Sequence, residues 1–204
     1  MTEITTAADY GWLRERHQDL LDAYCITLVQ DMTPDRLLRE LRAEPDGRVT
    51  GVAALAEPSY DAWDEYGDDR LLVGLAAVGD WTLMVEYNGY VGNRSELMDP
   101  VSRGRTVVSH FRNVNAVNSF YWSEDGEICL GFEPLFPGHR HGTDPDGLLT
   151  EMRESGFDLR ADDERDFTKH TEAAFALAHR ITGVRLTPEL FGSLEFTCAL
   201  VTVP

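Results

Sequence analysis

The stretch LLVGLAAVGDWTLMVEY, Leu71 to Tyr87, decides the fold. Two apolar, β-rich runs, Leu71 to Val78 and Trp81 to Tyr87, flank Gly79-Asp80. A two-residue connection with glycine first is a hairpin signature, because that position takes a positive φ that glycine adopts without steric cost. Asn88-Gly89 follows as a second strong turn signal. Val117 to Ser123 and Glu127 to Glu133 repeat the arrangement about Glu124-Asp125-Gly126 and predict another hairpin.

Working outward, Tyr24 to Val29, Arg105 to Arg112 and Glu195 to Val203 read as further strands. Arg48 to Ala56 fits either a strand or part of a buried helix. Asp9 to Ala23 spaces Trp12, Leu13, Leu20 and Leu21 as an amphipathic helix. Thr33-Pro34-Asp35, Asp144-Pro145-Asp146 and Thr187-Pro188-Glu189 each predict a helix start. A capping side chain, a proline that needs no donor and an acid at the positive dipole end coincide there. Gly156 predicts a left-handed cap with Phe157 folding back. Thr171 to Thr182 is apolar nearly all round and predicts a central helix closed by Gly183. Asn93 to Gly104, with Pro100, reads as lacking a strand, and Asp158 to Asp166 as a charged, mobile connection. The expectation is one α+β domain over 1–204, a mostly antiparallel twisted sheet with helices packed on one face. A two-lobe division near 93–104 is the alternative.

The 204 residues are 43% hydrophobic, with nine Phe, seven Tyr and four Trp, enough for a packed core. Acids outnumber bases 36 to 18, a formal net charge of −18. Such a surface repels nucleic-acid phosphates and anionic membranes, and favours a basic protein partner. Cys25, Cys129 and Cys198 lie far apart among apolar neighbours and predict buried thiols in a reducing compartment. The first residues carry no signal-peptide pattern, and no apolar run is long enough to span a bilayer. A cytoplasmic protein is expected.

Charge is unevenly spread. Glu57 to Asp69 holds six acids and no base, with Tyr60, Trp63 and Tyr66 spaced three apart. That segment is either a surface element with inward aromatics or a recognition patch for a cationic partner. Pro100 to Ser123, by contrast, holds no acid at all. It carries Arg103, Arg105, His110 and Arg112, then Asn113, Asn115 and Asn118, and ends on Phe120, Tyr121 and Trp122. On a strand, His110 and Arg112 share one face, where Arg112 can grip a carboxylate or phosphate in bidentate fashion. Internal ion pairing of the arginines is the competing reading. With Glu133, His139 and His141, these residues form the candidate ligand set: His110, Arg112, Glu133, His139, His141, Arg103 and Arg105. Imidazole and carboxylate are zinc-type ligands, yet no HExxH or comparable spacing appears, so no metal or cofactor is expected. Ser109 and His110 are adjacent and point to opposite strand faces, so they cannot pair as nucleophile and base. There is no GxSxG and no phosphate-binding glycine loop.

Four blocks carry a resemblance: Ser102-Arg103-Gly104, then VVSHFRNVNAV from Val107 to Val117, FEPLFP from Phe132 to Pro137, and TGVRLTPE from Thr182 to Glu189. With them the chain resembles an uncharacterised actinobacterial domain-of-unknown-function family over Trp12 to Val203. The resemblance implies a stand-alone bacterial cytoplasmic protein and brings no activity, cofactor or catalytic residue. The expected function is protein recognition through an acidic surface, as in an immunity protein or a regulatory adaptor. The alternative is an enzyme or small-ligand binder using a His/Arg/Glu cleft for an anion or metal.

Overall fold

The structure, a computed structural model, describes residues 4–160, 164 and 166–204. In chain order the elements are α1 (Trp12–Arg16), α2 (Gln18–Asp22), β1 (Tyr24–Gln30), α3 (Pro34–Glu40), β2 (Glu44–Thr50) and α4 (Ala56–Tyr66). Next come β3 (Arg70–Val78), β4 (Trp81–Tyr87), α5 (Ser95–Ser102), β5 (Thr106–Arg112), β6 (Asn118–Glu124) and β7 (Glu127–Phe132). The last are β8 (Arg140–His141), α6 (Leu149–Ser155), α7 (His170–Thr182), α8 (Pro188–Ser193) and β9 (Glu195–Thr202). Short 3-10 turns occupy Ala7–Tyr10, Val52–Leu55 and Val91–Asn93.

The strands form one nine-stranded sheet in the order β2-β9-β3-β4-β1-β5-β6-β7-β8, and every pairing is antiparallel. The α+β class and the antiparallel sheet are therefore as expected. The β3–β4 turn places Val78 opposite Trp81, with Gly79 at φ +59°. The β6–β7 turn takes positive φ at Asp125 and Gly126. β1 pairs with β4 on one side and β5 on the other, so the ladder runs unbroken past residues 93–104.

The helices cover both faces of the sheet, where one face was expected. Strand register makes this plain. Leu72, Ala76, Leu83, Val85, Tyr24 and Ile26 join Phe175 of α7, Phe191 of α8 and Leu13 of α1 in one apolar cluster. The intervening residues Leu71, Val73, Leu75, Met84 and Val29 point the other way and meet Leu37, Leu38 and Leu41 around α3 and Met98 and Val101 of α5. A third cluster, on the α7 side, joins Val108, Phe120, Leu130 and Phe132 to Met152, Phe157 and the alanines of α7. The physical cause is visible in the sequence. β3 and β4 are continuous apolar runs without alternation, and such strands need burial on both faces. β4 is buried along its whole length.

Local chemistry explains several boundaries. Thr33 Oγ1 accepts the Arg36 N–H at 3.3 Å, and Thr187 Oγ1 accepts the Leu190 N–H at 3.2 Å, so both caps form as read. Gly156 and Gly183 take left-handed φ, and the Phe157 N–H donates to Met152 O at 3.0 Å. The Asp9–Ala23 helix is instead a 3-10 turn and two short helices, interrupted at Gly11 and at His17 (φ −139°). Asp144-Pro145 makes a turn rather than a helix start, and α6 begins only at Leu149. Residues 95–102 form α5 with Pro100 inside it. The expected mobile connection falls partly on 161–163 and 165, which lie outside the described residues. Cys25 and Cys198 are buried, while Cys129 is partly exposed; all three are free thiols. Among the described residues no helix is long and apolar enough to cross a membrane.

Candidate functional site

β5 carries two of the seven candidate residues, His110 and Arg112, both on one face of the strand. His110 is 1% exposed and faces α7. Its ring meets Phe175 edge-on at 4.5 Å and stacks near Phe120 at 6.2 Å. Nδ1 lies 3.2 Å from the Tyr24 hydroxyl, and Nε2 has no hydrogen-bond partner among the described residues. Burial pushes its pKa down to about 3, so the ring is neutral at ordinary pH. His110 is a core residue, not a surface ligand.

Arg112, on the same face, reaches the first turn of α7. Its Nη1 donates to Asn118 Oδ1 at 3.4 Å and sits 3.3 Å from His170 Nε2. His170 Nδ1 faces Phe167 O at 2.6 Å and must carry the proton, which leaves Nε2 to accept from the guanidinium. Burial, and next to it the Arg112 charge, holds the His170 pKa below its ordinary value, although the Phe167 carbonyl opposes this. Two residues on is Glu172, 3% exposed and bonded to Arg14 of α1. His170, Glu172 and Arg14 were not singled out from sequence. The signal was a His and a Glu opening a helix whose middle, Ala173 to Ala178, is wholly apolar.

The other candidates lie elsewhere. Arg103 is exposed, and Arg105 Nη1 donates to Val101 O at 2.6 Å at the start of β5. Arg105 and Arg112 stand at opposite ends of the strand, roughly 23 Å apart at the usual rise per residue. None of the three arginines makes an ion pair among the described residues. Glu133 is half-buried, with its carbonyl accepting the Phe136 N–H at 2.7 Å. The His139 ring stacks near Phe136 at 6.3 Å. His141 pairs with Gly131 and meets Tyr121 at 6.2 Å, on the sheet face opposite His110. Of the cleft imagined from His110, Arg112, Glu133, His139 and His141, strand alternation separates His141 from His110 and Arg112, burial takes His110 out of reach of a ligand, and Glu133 and His139 lie off the strands, between β7 and β8. No group of three or more His, Cys, Asp or Glu among the described residues is placed to hold a metal ion.

The acidic segment is more coherent. Residues 57–69 form α4 and the turn after it, and Glu57, Asp61, Asp64, Glu65, Asp68 and Asp69 are all exposed. Glu57, Asp61 and Glu65 recur every fourth residue and make one stripe. None of the six is in an ion pair among the described residues. Nearby Arg70 is held by Glu44 and lies over the Tyr66 ring at 4.8 Å. Trp63 and Tyr66 pack inward as expected, whereas Tyr60 is 48% exposed beside the carboxylates.

On the far face of β5, sequence reasoning missed a second constellation. Glu86 of β4 is fully buried, and its carboxylate accepts the Val91 N–H at 2.7 Å and the Gly92 N–H at 2.9 Å. Burial pushes its pKa up to about 7 against the pull of those two donors. Thr27 and Ser109 hydroxyls meet at 3.0 Å beside the Cys25 thiol, which burial pushes up. A charged residue inside the apolar run of β4 was the signal.

An antiparallel α+β fold covered on both faces, with one acidic helix turned outward, defines the class. The chain belongs to a family of unknown function, DUF6461, whose model matches residues 3–204. No curated protein and no solved structure matches it.

Proposed function

We propose that this protein recognises a positively charged protein partner through α4 and the turn that follows it. The observation that carries this reading is the cluster of six exposed carboxylates on α4 and the turn after it, none in an ion pair among the described residues. The arrangement works against the helix itself. Like charges four apart repel, and acids in the last turn oppose the helix dipole. A surface that only needs solubility has no reason to gather them there. Tyr60 adds an exposed aromatic ring, the residue type that anchors interfaces. The reading covers an immunity protein or a regulatory adaptor equally. It puts the protein in a reducing, cytoplasmic compartment, supported by three free thiols.

The test is affinity capture from a lysate of the native host with three baits. Wild type and an Asp19→Lys/Asp22→Lys control should retain the same stoichiometric partner. Asp61→Lys/Glu65→Lys, with the same charge change, should lose it, and added salt should weaken the wild-type complex. Equal capture by both variants, salt-insensitive binding or no partner at all overturns the reading.

A further inference from the structure

A cleft of about 140 Å³ lies where α5 and the segment before it cross the sheet. The register puts its floor on one face of three strands. Val107 pairs with Ser123, Ser109 with Tyr121, and Ser123 with Ile128. Met98 and Asp99 of α5 and the backbone from Gly92 to Ser95 close the side. Val107, Ser109 and Met98 are buried and form the bottom, while Arg94, Asp99, Tyr121 and Ser123 are half-exposed and stand at the mouth.

The wall is held firmly in place. The Val91–Gly92 turn hangs from the buried Glu86 carboxylate. Gly92 lies so close to the sheet that a side chain would collide with Thr27 Oγ1 and come within 2.9 Å of Cys25 Sγ and 3.1 Å of Ser109 Oγ. A buried carboxylate is a costly way to fix a three-residue turn, and this turn is the cleft wall. The Ser109 hydroxyl is itself oriented by Thr27.

The geometry points to a binding site for a small neutral hydroxylated molecule of one ring's size. Size comes from the volume, since about 150 Å³ accommodates one benzene-sized ring. Neutrality comes from the lining. Arg94 and Asp99 are its only formal charges and sum to zero, and Arg94 is already engaged, with Nε 3.8 Å from Glu96 and Nη2 taken by Pro204 O at 2.7 Å. Hydroxyl recognition comes from Ser109, Tyr121 and Ser123 above an apolar base of Val107, Met98 and Ile128. The cleft shares no residue with α4, so the inference stands apart from the partner reading.

Amide-resolved NMR titration with phenol and cyclohexanol as probes, and benzoate as the charged counterpart, tests it. The two neutral probes should give saturable shifts centred on the Gly92, Ser109 and Ser123 amides. Benzoate should bind at least about tenfold more weakly. Ser123→Phe, which fills the mouth, should abolish the shifts; if that variant fails to fold, Ile128→Trp is read in the same way. Absent or scattered shifts in wild type, benzoate binding as tightly as phenol, or undiminished binding in a folded filled variant each overturns the site.

Discussion

The Glu86 carboxylate accepts the backbone N–H of Gly92 at 2.9 Å, inside the protein and away from solvent. This bond ties a loop to the middle of the sheet and brings the Gly92 backbone against Thr27, Cys25 and Ser109. The first two predictions follow from it.

Gly92→Ala should destabilise the fold by about 1–3 kcal/mol, the usual cost of overpacking a tight contact. The added methyl group meets Thr27 Oγ1, and turning that side chain away would break its hydrogen bond to Ser109. Urea titration should show a lower midpoint at an unchanged slope.

Glu86 should make stability fall as pH rises. Its folded pKa, pushed up to about 7, lies above the ordinary carboxylate value, so between the two the folded state binds the extra proton. The contribution is full below about pH 4.5 and is lost as pH climbs through 7. Cys25 and Tyr90, the neighbouring titratable groups, are both raised by burial and stay neutral across that window. Wild type should therefore lose on the order of 2 to 3 kcal/mol of stability relative to Glu86→Gln from pH 5 to pH 8. A flat difference contradicts the assignment.

His110 acts in the opposite direction. Its folded pKa of about 3 lies below the ordinary imidazole value, so the unfolded chain takes up the proton first as pH drops. Stability should fall from pH 6.5 downward. His110→Phe, which keeps a ring among Tyr24, Phe120 and Phe175, should remove on the order of 3 kcal/mol of that loss at pH 4. Thermal melts of both proteins across the range check it.

Asp61→Lys should stabilise the isolated protein. It converts two like-charge pairs, with Glu57 and Glu65, into attractive ones on α4, worth about 1 kcal/mol at low salt. The gain should fade as salt is added. A stability gain coupled to loss of partner binding is the pattern expected of a surface kept for recognition.

Much of the fold was legible because local chemistry and final structure agree. Gly79-Asp80, Asp125-Gly126, the two threonine-proline caps, Gly156 and Gly183 each act within a few residues. What was not legible depends on distant neighbours. β2 is exposed along nearly its whole length and carries Pro45 and Gly47, so it shows no alternation to read. The insertion of β9 between β2 and β3 leaves no local trace. His110 stood out as a polar residue in a basic stretch, yet α7 packs over it. Ser109, set aside from sequence as a nucleophile without a base, points into the cleft. That cleft draws on α5, β5, β6 and β7, none of which announces it alone.

The place of β9 also sets a timetable for the molecule. β2 leaves little apolar surface buried on its own account, and β9 is its sheet neighbour, about 150 residues further along the chain. On the ribosome, residues 44–50 must wait unpaired while the strands from β3 to β8 are already being made. The β2 margin can be sealed only when residues 195–202 emerge and slot in beside β3.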